Sequence, residues 1–372
     1  MVLGTGLVGK AMAIDLKRSG HRVTAVDLDE EVLKVLESRH GISSFHGDFT
    51  DDRLEEWIGD ADLVIGATPG EFGFGVMERV IRAGKNMVDI SFCAEDYMEL
   101  DPLAKEQGVT VVADMGVAPG MCNAILGYHC GQMKVDTYRC LVGGLPFERN
   151  WPLEYKSSWS PMDCIEEYVR PARFRVAGRE VVKPALSDVE LVEFSDAGML
   201  EAWNSDGLRS LLNSFPDIPH MVEKTLRYPG TVEYLRVLRE LGYFSREPLE
   251  VEGRMVRPLD VTAALLFPQF RLEPGEGEFT VMRVIVEGSN GTERIRYQYD
   301  LYDTYDRETD TTSMARTTGY TCTGVAALLL QGRISRPGVI PPEGVAVREE
   351  NFRYLLSHLQ ERGVMYRVNR VP

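Results

Sequence analysis

Histidine and cysteine are scarce in this 372-residue chain, six of each, and neither clusters. No histidine stands at metal-ligand spacing from another, so no metal site is expected. The cysteines (Cys93, Cys122, Cys130, Cys140, Cys164 and Cys322) form no C-x-x-C pair, and several lie in apolar runs. In a chain of this size they read as reduced thiols, which makes a cytoplasmic setting the expectation. Positive charge is also short: 41 Lys and Arg stand against 57 Asp and Glu, a formal charge of −16. That balance argues against nucleic acid and anionic membranes as partners. No apolar run reaches membrane-spanning length, no signal peptide opens the sequence, and no repeat or low-complexity tract breaks it.

What is present is a soluble composition, 44% hydrophobic and 26% charged, in a chain long enough for two domains. The sequence opens on a strand stub, Met1-Val2-Leu3, followed at once by Gly4-Thr5-Gly6-Leu7-Val8-Gly9 and a helix from Lys10 to Ser19. So short a first strand raises the expectation of a natural start further upstream. Gly20 ends the helix, and a second strand, His21 to Val26, closes on Asp27. Strands at 61–67, 86–90 and 109–113 then alternate with helices at 74–83 and 97–107. Strands apolar on both faces in such alternation predict a parallel sheet covered by helices.

The pattern changes after Tyr138. Regular alternation stops at Gly143-Gly144-Leu145-Pro146, and residues 151–268 are richer in Pro, Trp, Tyr and Arg. Strands at 279–286 and 294–302 flank Ser289-Asn290-Gly291-Thr292, a hairpin signal, with Ile295, Tyr297, Tyr299 and Leu301 on one face. This block reads as α+β on a mostly antiparallel sheet. The stretch 318–331 is small and apolar enough to be a packed helix, placed back on the nucleotide domain. The expected class is therefore α/β, a Rossmann-type doubly wound parallel sheet with an inserted α+β domain. Residues 1–120 form its first part, 121–316 the insertion and 317–372 the elements that complete it.

The G-x-G-x-x-G loop follows a strand, opens a helix and is followed by an acidic residue at the end of the next strand. Gly4 permits a tight turn, Gly6 a close approach to pyrophosphate, and Gly9 close helix–strand contact; the helix N-terminus adds free N–H groups. Thr5, Leu7 and Val8 complete the loop. Asp27 is placed to accept from the adenosine ribose and to repel a 2′-phosphate, and Leu28-Asp29-Glu30 offers no arginine, so NAD is expected over NADP. The remaining alternatives are a glycine turn in an unrelated α/β protein or an FAD-binding loop. Thr68-Pro69 at a strand end is a second cofactor-edge loop or an ordinary turn.

Asp114 opens the loop 114–120 after a parallel strand. It is either a proton acceptor for a substrate amine or a residue that orders its own loop. Arg227 offers a bidentate grip on a carboxylate, or a surface ion pair. Trp159 reads as a core or a binding-wall residue. His129 lies on the helix after the Asp114 loop and Arg209 is a weaker basic alternative.

Asp114-Met-Gly-Val-Ala-Pro-Gly, Gly143-Gly-Leu-Pro, Tyr155-Lys-Ser-Ser-Trp-Ser-Pro, Lys224-Thr-Leu-Arg-Tyr-Pro-Gly, the apolar helix before Gly332-Arg-Ile, and Gly338-Val-Ile-Pro-Pro-Glu occur in that order. The set resembles the saccharopine dehydrogenase (glutamate-forming) superfamily, most closely its lysine 6-dehydrogenase branch. Saccharopine reductases typically carry an acidic residue before the Pro-Gly of the first motif, where this chain has Ala118. The resemblance implies an interrupted Rossmann domain, a homodimer, an amino-acid substrate and substrate contacts from Gly144, Trp159, Thr225 and Arg227. It also implies NAD-dependent oxidation of the ε-amine of L-lysine. The competing expectations are a saccharopine reductase, a carboxynorspermidine-type dehydrogenase, and a non-catalytic NAD-sensing regulator.

Overall fold

The computed structural model describes residues 1–371 except Pro274 and Thr292. Its described residues divide into two compact units, one of residues 1–133 and 314–365, the other of residues 134–313 and 366–371.

The first unit is built on a seven-stranded, wholly parallel sheet. Its strands are β1 (Val2–Leu3), β2 (Thr24–Asp27), β3 (Ser43–His46), β4 (Val64–Gly66), β5 (Met87–Asp89), β6 (Thr110–Val112) and a last strand, Gly338–Ile340. In space the order is Gly338–Ile340, β6, β5, β4, β1, β2, β3. The chain builds outward from β1 to β3 and then returns to place β4 on the other flank of β1. The topological switch point, where ligands bind in doubly wound sheets, therefore lies between β1 and β4.

Local chemistry sets the crossovers. The helix α1 (Leu7–Arg18) buries Met12, Ala13 and Leu16 and carries Lys17 and Arg18 in its last turn, toward the negative end of its dipole. The helix Glu30–His40 starts on Asp29, whose Oδ1 accepts from the N–H groups of Glu31 and Val32, and stops at Gly41 with φ +61°. Sheet and helices close on a core that includes Leu3, Val26, Val64, Met77, Met87 and Val111.

The C-terminal elements return to this unit through polar as well as apolar contacts. Arg362 Nε donates to Asp15 Oδ1 at 2.7 Å and Thr323 Oγ1 to Asp15 Oδ2 at 2.6 Å, binding two distant helices to α1. The expected division at 120/121 needs correction. The helix Met121–Cys130 belongs to the first unit, because Gly127 lets it lie directly against Glu343; a Cβ there would stand 2.2 Å from the Glu343 carbonyl oxygen. At the other end, Tyr366–Val371 leaves the first unit and pairs antiparallel with Arg294–Thr304 of the second.

The second unit rests on a mixed nine-stranded sheet. Its central strand is β7 (Lys134–Pro146), with which Glu278–Ser289 pairs along nearly its whole length. On its other side β7 meets His220–Arg227 in parallel, followed by Gly198–Asn204 and Ser187–Phe194. Glu278–Ser289 and Arg294–Thr304 form the expected hairpin, closing on the pair Ser289–Arg294 with Gly291 at φ +106°; Thr292 lies outside the described residues. Ile295, Tyr299 and Leu301 are buried. One face of the sheet is covered by the helices Pro161–Val169, Thr231–Glu240 and Pro258–Phe270, packed around a fully buried Trp203.

Candidate functional site

In the first unit the loops at the carboxyl ends of the parallel strands gather the predicted nucleotide residues. Gly4 has φ +92°, and a Cβ there would meet the Ala67 carbonyl oxygen at 2.4 Å; only glycine fits. A Cβ on Gly9 would lie 1.9 Å from the Gly4 carbonyl oxygen, so α1 approaches the loop as closely as backbone allows. Gly6 is the contrast: nothing lies within 4 Å of the position its Cβ would take. It is also the N-cap of α1, without a side-chain cap and with no acidic residue in the first turn. An open cradle beside uncapped helix N–H groups fits a diphosphate. Leu7 and Val8 form the first turn, with Leu7 exposed, while Thr5 is buried.

Asp27 ends β2, and one of its oxygens accepts from both the backbone N–H and the hydroxyl of Thr5. The other, Oδ1, accepts from the Asp29 N–H at 2.9 Å. Three donors leave capacity on the carboxylate for a ribose hydroxyl, since it offers about four lone-pair sites. The same carboxylate ties the glycine loop to the second strand, a role absent from the sequence reasoning. Asp29, Glu30 and Glu31 crowd the same strand end, and Lys34 is paired with both Glu30 and Glu31.

Across the switch point, Thr68 is buried after β4, and Pro69 is the exposed N-cap of the helix Gly70–Arg82. Thr68 Oγ1 lies 3.1 Å from Ser91 Oγ. Ser91 in turn donates its N–H to Asp89 Oδ1 at 2.8 Å, with its hydroxyl 3.1 Å from Oδ2. The Asp89 carboxyl is raised to about 7, chiefly by burial and to a lesser degree by the nearby Asp114 carboxyl, against the downward pull of the Ser91 hydrogen bonds. Asp89 and Ser91 carried no signal in the sequence, because an acid and a serine two apart at a strand end match no motif.

Asp114 is buried at φ +54° in the turn after β6. Its carbonyl accepts from Gly116 N–H, and the next residue, Met115, donates its N–H to the Asp89 carbonyl. A Cβ on Gly120 would meet the Gly116 oxygen at 1.9 Å, so the 114–120 loop folds tightly on itself. His129 is buried, and burial lowers its imidazole to about 4, which keeps it neutral.

The four predicted substrate residues all lie in the second unit. Thr225 and Arg227 alternate on one face of their strand, with Glu223 two residues earlier. Opposite them across the antiparallel pair stand Trp203 and Glu201. Glu201 Oε2 accepts from the N–H groups of Gly230 and Val232, which fixes the start of the helix after the Arg227-Tyr228-Pro229-Gly230 turn.

Arg227 is not on the surface. It is 2% exposed, with Nη2 3.0 Å from Glu167 Oε2 and the guanidinium 4.0 Å from the centre of the Tyr155 ring. Among the described residues its Nε has no hydrogen-bond partner, and neither do Trp203 Nε1 and Thr280 Oγ1, both fully buried. Trp159 is half-buried, donating to the Tyr155 hydroxyl at 3.3 Å. Gly144 is paired with Thr280 on the neighbouring strand.

Thr225 Oγ1 lies 2.7 Å from Ser205 Oγ, and that hydroxyl reaches Glu223 Oε2 at 2.7 Å. Burial lifts the Glu223 carboxyl to about 8 against the pull of those hydrogen bonds, and Glu167 is also raised by burial. The predicted residues Trp159, Thr225 and Arg227 thus meet in one cluster with Glu167, Ser205 and Glu223. Glu167 was missed because no sequence pattern shows which helix covers a strand face, and Ser205 and Glu223 because neither belongs to a recognisable motif.

Two family models match the chain. The saccharopine dehydrogenase NADP binding domain matches residues 1–112, and the saccharopine dehydrogenase C-terminal domain matches residues 116–364. A saccharopine dehydrogenase [NADP(+), L-glutamate-forming] from Pyricularia oryzae is 29% identical over 262 residues, 66% of this chain and 58% of that protein. The mitochondrial alpha-aminoadipic semialdehyde synthase of Bos taurus is 25% identical over 263 residues, 66% of this chain but 28% of that protein. The matches thus span little more than half of the first relative and under a third of the second. Among solved structures, apo saccharopine dehydrogenase (L-Glu forming) from Saccharomyces cerevisiae superposes with a TM-score of 0.78 at 20% identity, covering 100% of this chain and 99% of that one. At that identity the likeness is one of fold.

Proposed function

The chain belongs to the saccharopine dehydrogenase family, and from that premise we propose that it oxidises the ε-amine of L-lysine with NAD. The products are ammonia and 2-aminoadipate 6-semialdehyde, which cyclises on its own α-amine to piperideine-6-carboxylate. The observation that carries the lysine reading is the charge of the second unit's polar cluster. The guanidinium of Arg227 stands there paired with Glu167, on which Arg170 also acts, beside the carboxyl of Glu223, so the cations are balanced by acids. Such a set suits a substrate with one carboxylate and two amines better than one with several carboxylates.

A bound oxidised nicotinamide supplies the hydride-accepting chemistry. The chain's residues must free the nitrogen lone pair, because a lysine amine with a pKa of about 10.4 arrives protonated. Asp114 is assigned the proton of that ammonium, directly or through a water. Loss of hydride from the ε-carbon leaves an iminium; water adds to it and ammonia departs. Arg227 and Thr225 are assigned the α-carboxylate, which must then take the place of Glu167 on the guanidinium. Gly144 and Trp159 are assigned to the wall of the amino-acid site.

The cofactor choice rests on Asp27, with Asp29, Glu30 and Glu31 beside it; a 2′-phosphate there would meet the Asp27 carboxylate, and the nearby Lys34 is already taken by Glu30 and Glu31. Asp27→Ser combined with Leu28→Arg is expected to shift preference toward NADP. Because Asp27 also holds Thr5, dinucleotide affinity should fall overall in the same variant. An unchanged NAD to NADP ratio of kcat/KM removes Asp27 from the choice.

A saccharopine-oxidising enzyme is the second reading, favoured by the activity printed for the fungal relative. The deciding assay offers lysine, ornithine and saccharopine with NAD and with NADP, following NADH or NADPH absorbance and ammonia. Reduced cofactor and ammonia from lysine support the proposal; reduced cofactor from saccharopine alone overturns it. Asp114→Asn, assayed at saturating dinucleotide, is expected to cut kcat by about 10²–10⁴, the range for loss of a general base. Near-normal turnover in that variant would take Asp114 out of the mechanism.

A further inference from the structure

We propose that Asp89, acting through Ser91, sets whether the Thr68 hydroxyl donates or accepts a hydrogen bond at the cofactor edge, so that dinucleotide binding tightens when Asp89 is protonated. The inference rests on the reading of Thr68 as a cofactor contact, and it names Asp89 as a positioning residue.

The geometry is a three-group wire across the ends of two adjacent strands. Asp89 Oδ2, Ser91 Oγ and Thr68 Oγ1 follow one another at 3.1 Å and 3.1 Å, all buried. Two glycines let backbone pack closely against the wire. A Cβ on Gly66 would lie 1.9 Å from Asp89 Oδ2, and one on Gly73 would lie 2.5 Å from the Ser91 Cβ. Ser91 N–H occupies the other Asp89 oxygen and holds the carboxyl in one orientation.

Each hydroxyl has one hydrogen, so the proton on Asp89 dictates the direction of the whole wire. With Asp89 ionised, Ser91 donates to the carboxylate and must accept from Thr68. The Thr68 hydrogen is then turned inward, and only lone pairs face the ligand. With Asp89 protonated, its O–H donates to Ser91, Ser91 donates to Thr68, and the Thr68 hydrogen is released outward.

A dinucleotide presents anionic phosphate oxygens, which accept only. The protonated wire offers them a donor, and it also removes a buried negative charge from the strand end. Among the described residues, the titratable groups that act on Asp89 are the Asp114 carboxyl from the turn after β6 and the Cys322 thiol from the helix Ser313–Leu330. Burial raises that thiol well above its usual range, which keeps it neutral. Asp114 opposes ionisation of Asp89, and burial places the Asp89 transition near 7, within the range a cell spans.

The test is NADH binding to the full chain, read by cofactor fluorescence between pH 6 and 9 with no amine present. In the wild type Kd is expected to rise about tenfold as pH rises, the linkage of a one-unit pKa change on binding. In Asp89→Asn the amide donates to Ser91 permanently, so binding should stay at the acid-side strength at every pH. Ser91→Ala breaks the wire while keeping the carboxyl, and its pH dependence should shrink to about twofold or less. A pH dependence that survives in Asp89→Asn overturns the proposal, because another group then titrates. Full pH dependence in Ser91→Ala overturns the wire and leaves only the charge. If no NADH binds at any pH, the cofactor reading itself fails, and that result is distinct from binding that ignores pH.

Discussion

Glu167→Ala is expected to destabilise the second unit by about 3–5 kcal/mol, the cost of stranding one member of a buried ion pair. Arg227 is 2% exposed and its guanidinium keeps its charge at any accessible pH, so it cannot escape by neutralising. Its other polar contacts are the Leu226 carbonyl and the weakly accepting Cys164 sulfur, and neither carries a compensating charge. Glu167→Gln should cost less, since an amide oxygen still accepts from Nη2. Replacing both partners, Glu167→Leu with Arg227→Met, should recover most of the loss, because two apolar side chains leave no orphaned charge. Urea unfolding followed by tryptophan fluorescence checks this, as Trp203 sits in the same core. Additive effects of the two replacements would mean that the pair is not coupled. The same variants bear on function. If Glu167 holds the place of a substrate carboxylate, Glu167→Gln lowers the KM for lysine; if it only steers Arg227, KM rises.

Gly9→Ala carries the second large effect, a loss of dinucleotide affinity of about a hundredfold or more, equivalent to about 2.7 kcal/mol. The added methyl meets the Gly4 carbonyl oxygen at 1.9 Å and the Ala67 Cβ at 3.2 Å, and the first of these is backbone that has no rotamer to give. Helix α1 must therefore move away from β1 and β4, at a cost in stability of about 1–3 kcal/mol. Gly6→Ala is the control. Its methyl meets nothing within 4 Å, so stability should be unchanged while affinity falls, because the methyl stands where a diphosphate is expected to lie. Isothermal titration with NADH, paired with thermal melts, separates the two. Equal behaviour of the two variants would refute the division of roles between Gly6 and Gly9.

The nucleotide half was legible because its signals are local. A glycine that must turn, an apolar strand and an acid at the next strand end sit within the first 27 residues. In the second half the ordered motifs singled out Thr225 and Arg227, and the structure puts both on one face of a strand. The partners on that face were not legible. Glu167 reaches Arg227 from 60 residues away, and Ser205 reaches Glu223 from 18. Sequence spacing gives no measure of such separations. The domain boundaries erred for the same reason: Gly127 joins the first unit through its contact with Glu343, and the last strand joins the second through its pairing with Arg294–Thr304.

By itself, then, the sequence determined the parallel βαβ frame, the glycine cradle and the family, because these depend on backbone geometry and on ordered motifs. Only the tertiary structure decided that Arg227 is enclosed with Glu167 and that Asp89 stands behind Thr68. Both follow from burial, which removes water as a partner and forces each charge or hydroxyl to find another within the fold.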